Sequence, residues 1–152
     1  MPAYFFDTSA LVKFYVEESG ALWVRSFTDV ESNIIHVSSL AEVETVSALT
    51  RRLNRRDINQ VEFDQACDDL QQDFATQYRI VALTEAIIRS AATRARIHGL
   101  RAYDPVQLAA VLETSRIASK VEATEVILVS ADTELNAAAA AEGLQVEDPN
   151  NH

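Results

Sequence analysis

Four stretches of the chain place a carboxylate where an apolar run or a loop gives way to a helical pattern. Ala3-Tyr4-Phe5-Phe6 leads into Asp7, and Val126-Ile127-Leu128-Val129 leads through Ser130-Ala131 into Asp132. Ile34 to Val37 leads through Ser38-Ser39 toward Glu42 and Glu44, and Leu100-Arg101-Ala102-Tyr103 leads to Asp104-Pro105. An acid at a helix start has an ordinary use, as a cap or as a complement to the helix dipole. Thr8 or Ser9 can cap in place of Asp7, and Ser130 in place of Asp132, which leaves both aspartates for other work. Asp104 before Pro105 has the pattern of an N-cap followed by proline at the first helical position. A carboxylate has two oxygens, so a cap can also be a ligand. Glu42 and Glu44 lie two residues apart and point about 200° apart around a helix. Val43, Val46, Leu49 and Leu53 mark an apolar stripe that runs near Glu42 and away from Glu44. The helical wheel does not choose between the two acids.

In open α/β sheets, ligands bind beyond the carboxyl ends of the strands. Acids that each follow a parallel strand therefore share one edge of the sheet. A like-charge pair about 4 Å apart costs roughly 1 kcal/mol in water, and more where the dielectric is lower. A hard divalent cation offsets that repulsion far better than a helix dipole does, and carboxylates with water suit Mg²⁺ or Mn²⁺. The spacing of the acids thus points to an acidic metal pocket with Asp7 at one corner.

The elements that must position these acids read as follows. Strand patterns cover Ala3 to Phe6, Ile34 to Val37, Val126 to Val129 and, weakly, Gln145 to Glu147. They are short and apolar on both faces, as buried parallel strands are. Helical patterns cover Ser9 to Val16, Ala21 to Phe27, Leu40 to Leu53 after a Ser38-Ser39 cap, Gln60 to Phe74, Glu85 to Ile97 ending at Gly99, Pro105 to Ile117, and Thr133 to Ala141. The order implies an α/β domain with a small parallel sheet over residues 1–147, followed by a loose tail at 148–152.

The 152 residues are 48% hydrophobic and 24% charged, which suits one globular domain with a real core. The formal net charge of −10 argues against a protein held to nucleic acid by bulk electrostatics. It leaves room for a nucleic-acid enzyme whose carboxylates act through metal ions. The single cysteine, Cys67, cannot form an internal disulfide. With no signal-peptide pattern and no apolar run long enough for a membrane, a cytoplasmic protein is expected.

The blocks FFDTSALVKFYV, SSLAEVETVSAL, HGLRAYDPVQLAAVL and VSADTELNAAAAAEGLQV, in this order from Tyr4 to Val146, resemble the motif blocks of PIN domains. The resemblance is closest to VapC-type toxins of prokaryotic toxin–antitoxin pairs. It implies a three-layer α/β/α sandwich and an endoribonuclease dependent on Mg²⁺ or Mn²⁺. By motif position it assigns the acidic site to Asp7, Glu44, Asp104 and Asp132, choosing Glu44 over Glu42. These acids would hold one or two ions and leave a 5′-phosphate and a 3′-hydroxyl. Thr8, Ser9 and Ser130 match small hydroxyl positions that support the pocket, with Glu42 as an outer acid or a surface charge. The implied partners are an RNA substrate, a small cognate antitoxin and a second copy of the chain. The helices around Val12 and Val16 are a candidate dimer surface.

Two arginine clusters could bring RNA to so acidic a protein. Arg94, Arg96 and Arg101 lie close in sequence to Asp104 and are the preferred phosphate guide. Arg51, Arg52, Arg55 and Arg56 read equally as partners of the acids at Glu62, Asp64, Asp68, Asp69 and Asp73. His98 reads as a helix-end residue and His36 as a structural one. Two phosphotransfer readings fit less well. A phosphatase of the haloacid-dehalogenase type needs an aspartate two residues after Asp7, where Ser9 stands. A receiver domain needs a lysine after an apolar strand, and neither Lys13 nor Lys120 is so placed. A catalytically silent PIN-like interaction module and a stand-alone RNA-processing nuclease are the remaining alternatives.

Overall fold

Strand β1 (Ala3–Phe6) is the middle of a five-stranded, all-parallel sheet. The computed structural model describes residues 3–152. The other strands are β2 (Ile34–Ser38), β3 (Arg79–Val81), β4 (Val126–Val129) and β5 (Gln145–Glu147), in the spatial order β3-β2-β1-β4-β5. Helices α1 (Thr8–Leu11), α2 (Ala21–Arg25), α3 (Ala41–Asn54), α4 (Gln60–Thr76), α5 (Glu85–His98), α6 (Asp104–Val121) and α7 (Thr133–Ala141) connect them. No helix among the described residues is long and apolar enough to cross a membrane.

The sheet is covered on both sides because its strands are apolar on both sides. Ala3 and Phe5, with Val126 and Leu128 of β4, face a core built with Ile87 and Ala91 of α5, Leu108 and Val111 of α6, and Leu135 of α7. Phe6 and Val129 face the opposite way, onto Leu11, Val24, Leu70 and Phe74 from the α1–α4 side. The result is the expected three-layer α/β/α sandwich. Fully burying a side chain such as Phe5 or Phe6 contributes about 1.5–3 kcal/mol, which ties the central strand to both helical layers.

Strand order reverses direction at β1, since the chain runs from β1 to β2 on one flank and later to β4 on the other. Ala3 stands level with Val126, and Phe6 with Val129. The Asp7 N–H extends this ladder by donating to the Val129 carbonyl at 3.2 Å. The register therefore sets Asp7 beside Ser130, at the switch point where open parallel sheets bind ligands.

Four expectations need correction. The stretch between β2 and β4 contains a further strand, β3, at the sheet edge. The Ser38-Ser39 cap does not form, because Ser38 is the last residue of β2 and α3 begins after Leu40 without a side-chain cap. The tail is not loose. Pro149–Asn151 form a 3₁₀ turn with Pro149 buried, and His152 stacks on Trp23 at 4.0 Å between ring centroids. The turn lies against Gly20 (φ +78°), where a Cβ would stand 2.4 Å from the Pro149 carbonyl oxygen. Val12 and Val16 are 1% and 6% exposed and pack on Ala48, Leu49 and Ala66. They form core, and cannot supply a dimer surface.

Candidate acidic active site

Asp7 is 3% exposed, and its carboxylate takes three hydrogen bonds. Ser9 Oγ donates to Oδ1 at 2.7 Å, the Ala10 N–H donates to Oδ1 at 3.1 Å, and Ser130 Oγ donates to Oδ2 at 2.9 Å. Asp7 is thus the N-cap of α1, with extended backbone (φ −80°, ψ 173°), and a pocket acid at once. The two serines also hold the β4–α7 turn. Ser9 Oγ accepts from the Ala131 N–H at 2.9 Å, and Ser130 Oγ accepts from the Asp132 N–H at 3.1 Å. Asn136 fixes Ser130 from behind, its Nδ2 donating to the Ser130 carbonyl at 2.8 Å.

Asp132 caps α7, its Oδ1 accepting from the Glu134 and Leu135 N–H groups, each at 3.0 Å. Its Oδ2 has no hydrogen bond among the described residues. Asp104, which the Asp-Pro pair suggested as a cap, is not one. Tyr103 occupies the N-cap position with near-helical backbone (φ −94°, ψ −1°), and Asp104 is already the first residue of α6. Its carboxylate takes no hydrogen bond from a donor among the described residues. Ala102, two residues before it, holds a left-handed conformation (φ 53°), which costs a residue with a Cβ roughly 1–2 kcal/mol. Arg101, Ala102, Asp104, Ala131, Asp132, Thr133 and Glu134 line one open cleft of about 590 Å³.

Helix α3 contributes Glu44. The buried face of α3 is Ala41, Thr45, Ala48 and Leu49, whereas Val43 and Val46 are 59% and 36% exposed. The apolar stripe expected from the sequence is therefore rotated. Glu44 falls beside the buried face and is half-buried, and Glu42 is exposed. Gln107, buried on α6, donates its Nε2 to Glu44 Oε1 at 2.9 Å. Burial raises the Glu44 carboxyl, with Gln107 and then Thr8 pulling against the rise, although the Thr8 hydroxyl makes no well-formed hydrogen bond.

The four acids sense one another. Burial pushes the Asp7 carboxyl up to about 6, against the pull of Ser9, Ala10 and Ser130, and the Asp132 charge adds to the rise. Asp104 is pushed up to about 7, first by burial, then by the Asp132 carboxylate beside it, then by the charges of Asp7 and Glu44. Burial also raises Glu44. No arginine or lysine forms an ion pair with any of the four among the described residues. Nor do three acids close on a single point: no group of three His, Cys, Asp or Glu among the described residues is near enough to ligate one ion. Asp104, Asp132 and Glu134 line the cleft, Asp7 and Glu44 add their charge from outside that lining, and carboxylate donors of this kind fit a hard divalent cation.

The remaining candidates divide. Arg101 reaches the cleft. Arg94 is tied to Glu142 of the α7 end at 3.2 Å, beside His98 at 2.9 Å from the same carboxylate. Arg96 is exposed on α5. In the other cluster, Arg52 pairs with Glu18 and Arg55 with Asp57, not with the acids of α4. Gln107, Glu134 and Asn136 were not singled out from the sequence. For Gln107 the available signal was its place three residues after Asp104 on one helix face. Glu134 and Asn136 follow Asp132 within the first turn of α7.

No protein-family model matches the chain. Ribonuclease VapC45 of Mycobacterium tuberculosis is 34% identical over 112 residues, covering 74% of this chain and 76% of that protein. Among solved structures, FitAcB from Neisseria gonorrhoeae superposes with a TM-score of 0.64 at 18% identity, covering 96% of this chain and 97% of the other. A toxin–antitoxin complex from Klebsiella pneumoniae contains a chain that superposes with a TM-score of 0.59 at 14% identity, covering 96% and 97%. The structural likenesses establish the fold. With the curated relative they show that the chain belongs to the VapC family of PIN-domain proteins.

Proposed function

We propose that this protein is a metal-dependent endoribonuclease, the toxin of a toxin–antitoxin pair. The observation that carries the reading is that Asp104 feels the charges of Asp132, Asp7 and Glu44, acids from four separate segments near the switch point of a parallel sheet, with no lysine or arginine paired to any of them among the described residues. The VapC45 relative is named a ribonuclease, which supports RNA as the substrate. Asp7, Glu44, Asp104 and Asp132 are the residues that would hold Mg²⁺ or Mn²⁺. Such an ion, when bound, makes water a competent nucleophile near neutral pH and offsets charge on the phosphate.

The chain's own residues do the rest. Ser9, Ser130 and the Ala10 N–H fix Asp7, so the pocket is set before RNA arrives. Asp132 holds one oxygen on its helix and lines the cleft with Asp104, whose carboxylate takes no hydrogen bond from a donor among the described residues. Arg101, at the cleft rim, is placed to meet a phosphate. The FitAcB and Klebsiella likenesses, the latter a toxin–antitoxin complex, support a small protein antitoxin as the partner.

The test is cleavage of structured RNAs by the pure protein with Mn²⁺ and with chelator, alongside Asp104→Asn. Cutting by the wild type in Mn²⁺ alone, with the variant inactive, is the expected result. Equal cutting in chelator, or by Asp104→Asn, would exclude this site. Co-expression with a short reading frame found beside its gene should yield a complex and silence the cleavage. Sedimentation of the free protein decides whether it is also a dimer.

A further inference from the structure

Gln107 sits one turn beyond Asp104 on α6 and is 2% exposed, among Leu108, Ala109, Ala110 and Val111, which are all 2% exposed or less. Its Nε2 donates to Glu44 Oε1 at 2.9 Å. Its Oε1 is buried with no hydrogen-bond partner. A buried amide with one unmet oxygen is a costly occupant for a core position, where leucine or methionine fills nearly the same volume without penalty. The stabilisation it returns to the fold is a single bond between two helices. Its chemistry makes sense in terms of the group it holds. An ionised carboxylate is acceptor-only, so it fixes the amide with the NH₂ toward Glu44, and the bond is charge-assisted.

We infer that Gln107 is a positioning residue of the acidic site, holding the Glu44 carboxylate in place so that α3 delivers a ligand to the pocket that α6 shares through Asp104. The inference rests on the proposed metal site. Glu44 needs such help more than Asp7 or Asp132 does. Asp7 and Asp132 are short side chains held by caps and serines, whereas Glu44 has an extra rotatable bond and comes from a helix outside the cleft lining. Residues that orient metal ligands in this way typically contribute 10- to 100-fold to affinity or activity.

The test combines Mn²⁺ binding without RNA, read from the loss of the free-ion electron paramagnetic resonance signal, with steady-state cleavage kinetics. Gln107→Leu and Gln107→Met remove the donor and keep the volume. Both should bind Mn²⁺ at least about tenfold more weakly and lose about tenfold in kcat, with KM for RNA unchanged. Gln107→His restores a donor and should recover part of both losses. Wild-type Mn²⁺ affinity and kcat in the folded Leu and Met variants would overturn the inference and leave the nuclease reading standing. Failure of both variants to fold would show a structural tie and also overturn it. A wild type that neither binds Mn²⁺ nor cuts RNA would instead remove the acidic-site reading on which the inference depends.

Discussion

Two charge clusters in this molecule are built on opposite terms. In the first, Glu18 lies between two cations. Lys13, 5% exposed, approaches Glu18 Oε1 at 3.2 Å and also donates to the Ser19 carbonyl at 2.7 Å, while Arg52 Nε donates to Glu18 Oε2 at 3.0 Å. Every charge there has a partner from the chain itself. In the second, Asp7, Asp132, Asp104 and Glu44 lie within range of one another's charge, with only hydroxyls, backbone N–H groups and one amide as hydrogen-bond donors among the described residues. Buried charges are tolerated when paired, and their pKa values move when they are not. The Lys13–Glu18–Arg52 cluster is a finished structural joint. The acidic pocket is unfinished, and an unfinished electrostatic site is where function is to be sought.

The largest effect that tests this contrast is on activity. Asp7→Asn keeps the side-chain shape and a cap oxygen for Ala10, but removes the central charge. Metal-assisted stabilisation of a phosphoryl transition state is worth several kcal/mol, so single-turnover cleavage should fall on the order of a thousandfold. Unchanged cleavage would mean that the cluster's charge has no catalytic use.

The second effect is on stability, and its sign is the reverse of the usual one for an aspartate. Asp7 titrates near 6 when folded against 3.8 as its ordinary value. The native state holds the proton more tightly than the unfolded chain does. Stability from this group is therefore present below pH about 4 and is lost as pH rises from about 4 to about 6, by up to about 3 kcal/mol. In chelator, Asp7→Asn should unfold at higher urea than the wild type at pH 7, and the gap should close near pH 4. Saturating Mn²⁺ should raise the wild type and not the variant, since an ion that binds only the native state stabilises it. A variant less stable than wild type at pH 7 in chelator would show that Asp7 is satisfied without a cation.

Glu18→Ala probes the finished cluster and should behave in the ordinary way. It leaves Lys13 nearly buried beside the Ser19 carbonyl alone and Arg52 with only the Ala48 carbonyl, at 3.1 Å. A loss of about 2 kcal/mol is expected, below the full value for a buried pair because Glu18 is about one quarter exposed. Cleavage should not change, and Mn²⁺ should stabilise this variant as much as the wild type. A drop in cleavage beyond the loss of folded protein would join two clusters that the structure keeps apart.

How the two clusters were built was only partly legible in the sequence. The long helices and the apolar strands were plain, because period and turn residues agree along them. β3 was missed because Arg79-Ile80-Val81 is three residues at a sheet edge, with Arg79 and Ile80 exposed, too short for any pattern. The four motif acids were legible as types at helix starts. Their local roles were inverted: Asp7 and Asp132 cap their helices, and Asp104 does not. Capping depends on where the backbone turns helical, and Tyr103 turns one residue before the Asp-Pro pair suggests. The stripe on α3 was misplaced for a different reason. Close packing against its neighbours selects small side chains, so Ala41 and Ala48 are buried while the more hydrophobic Val43 is exposed. Hydrophobicity marks what can be buried and size marks what fits, and the second sets Glu44 beside the buried face of α3 and leaves Glu42 exposed. The partnership of Glu18 with Lys13 and Arg52 had no sequence signal, since Arg52 lies 34 residues away.

The smallest effect belongs to a third group of acids, and it isolates burial as the variable. Glu62, Asp64, Asp68 and Asp69 crowd a single helix, α4, whereas the pocket acids come from four segments, and all four α4 acids are exposed. Gln60 and Gln65 bond Asp64 and Asp69 one turn on, at 2.9 and 2.8 Å. Water screens such charges, so removing one changes little. Asp68→Asn should shift stability by less than about 0.5 kcal/mol. Mn²⁺ should stabilise the variant as it does the wild type, and cleavage should be unaltered. If Asp68→Asn matched Asp7→Asn in either measurement, local acid density rather than placement at the sheet's switch point would govern cation binding. The contrast between paired and unpaired clusters would then lose its meaning, because an exposed helix face would do as well as a pocket set by four segments of the chain.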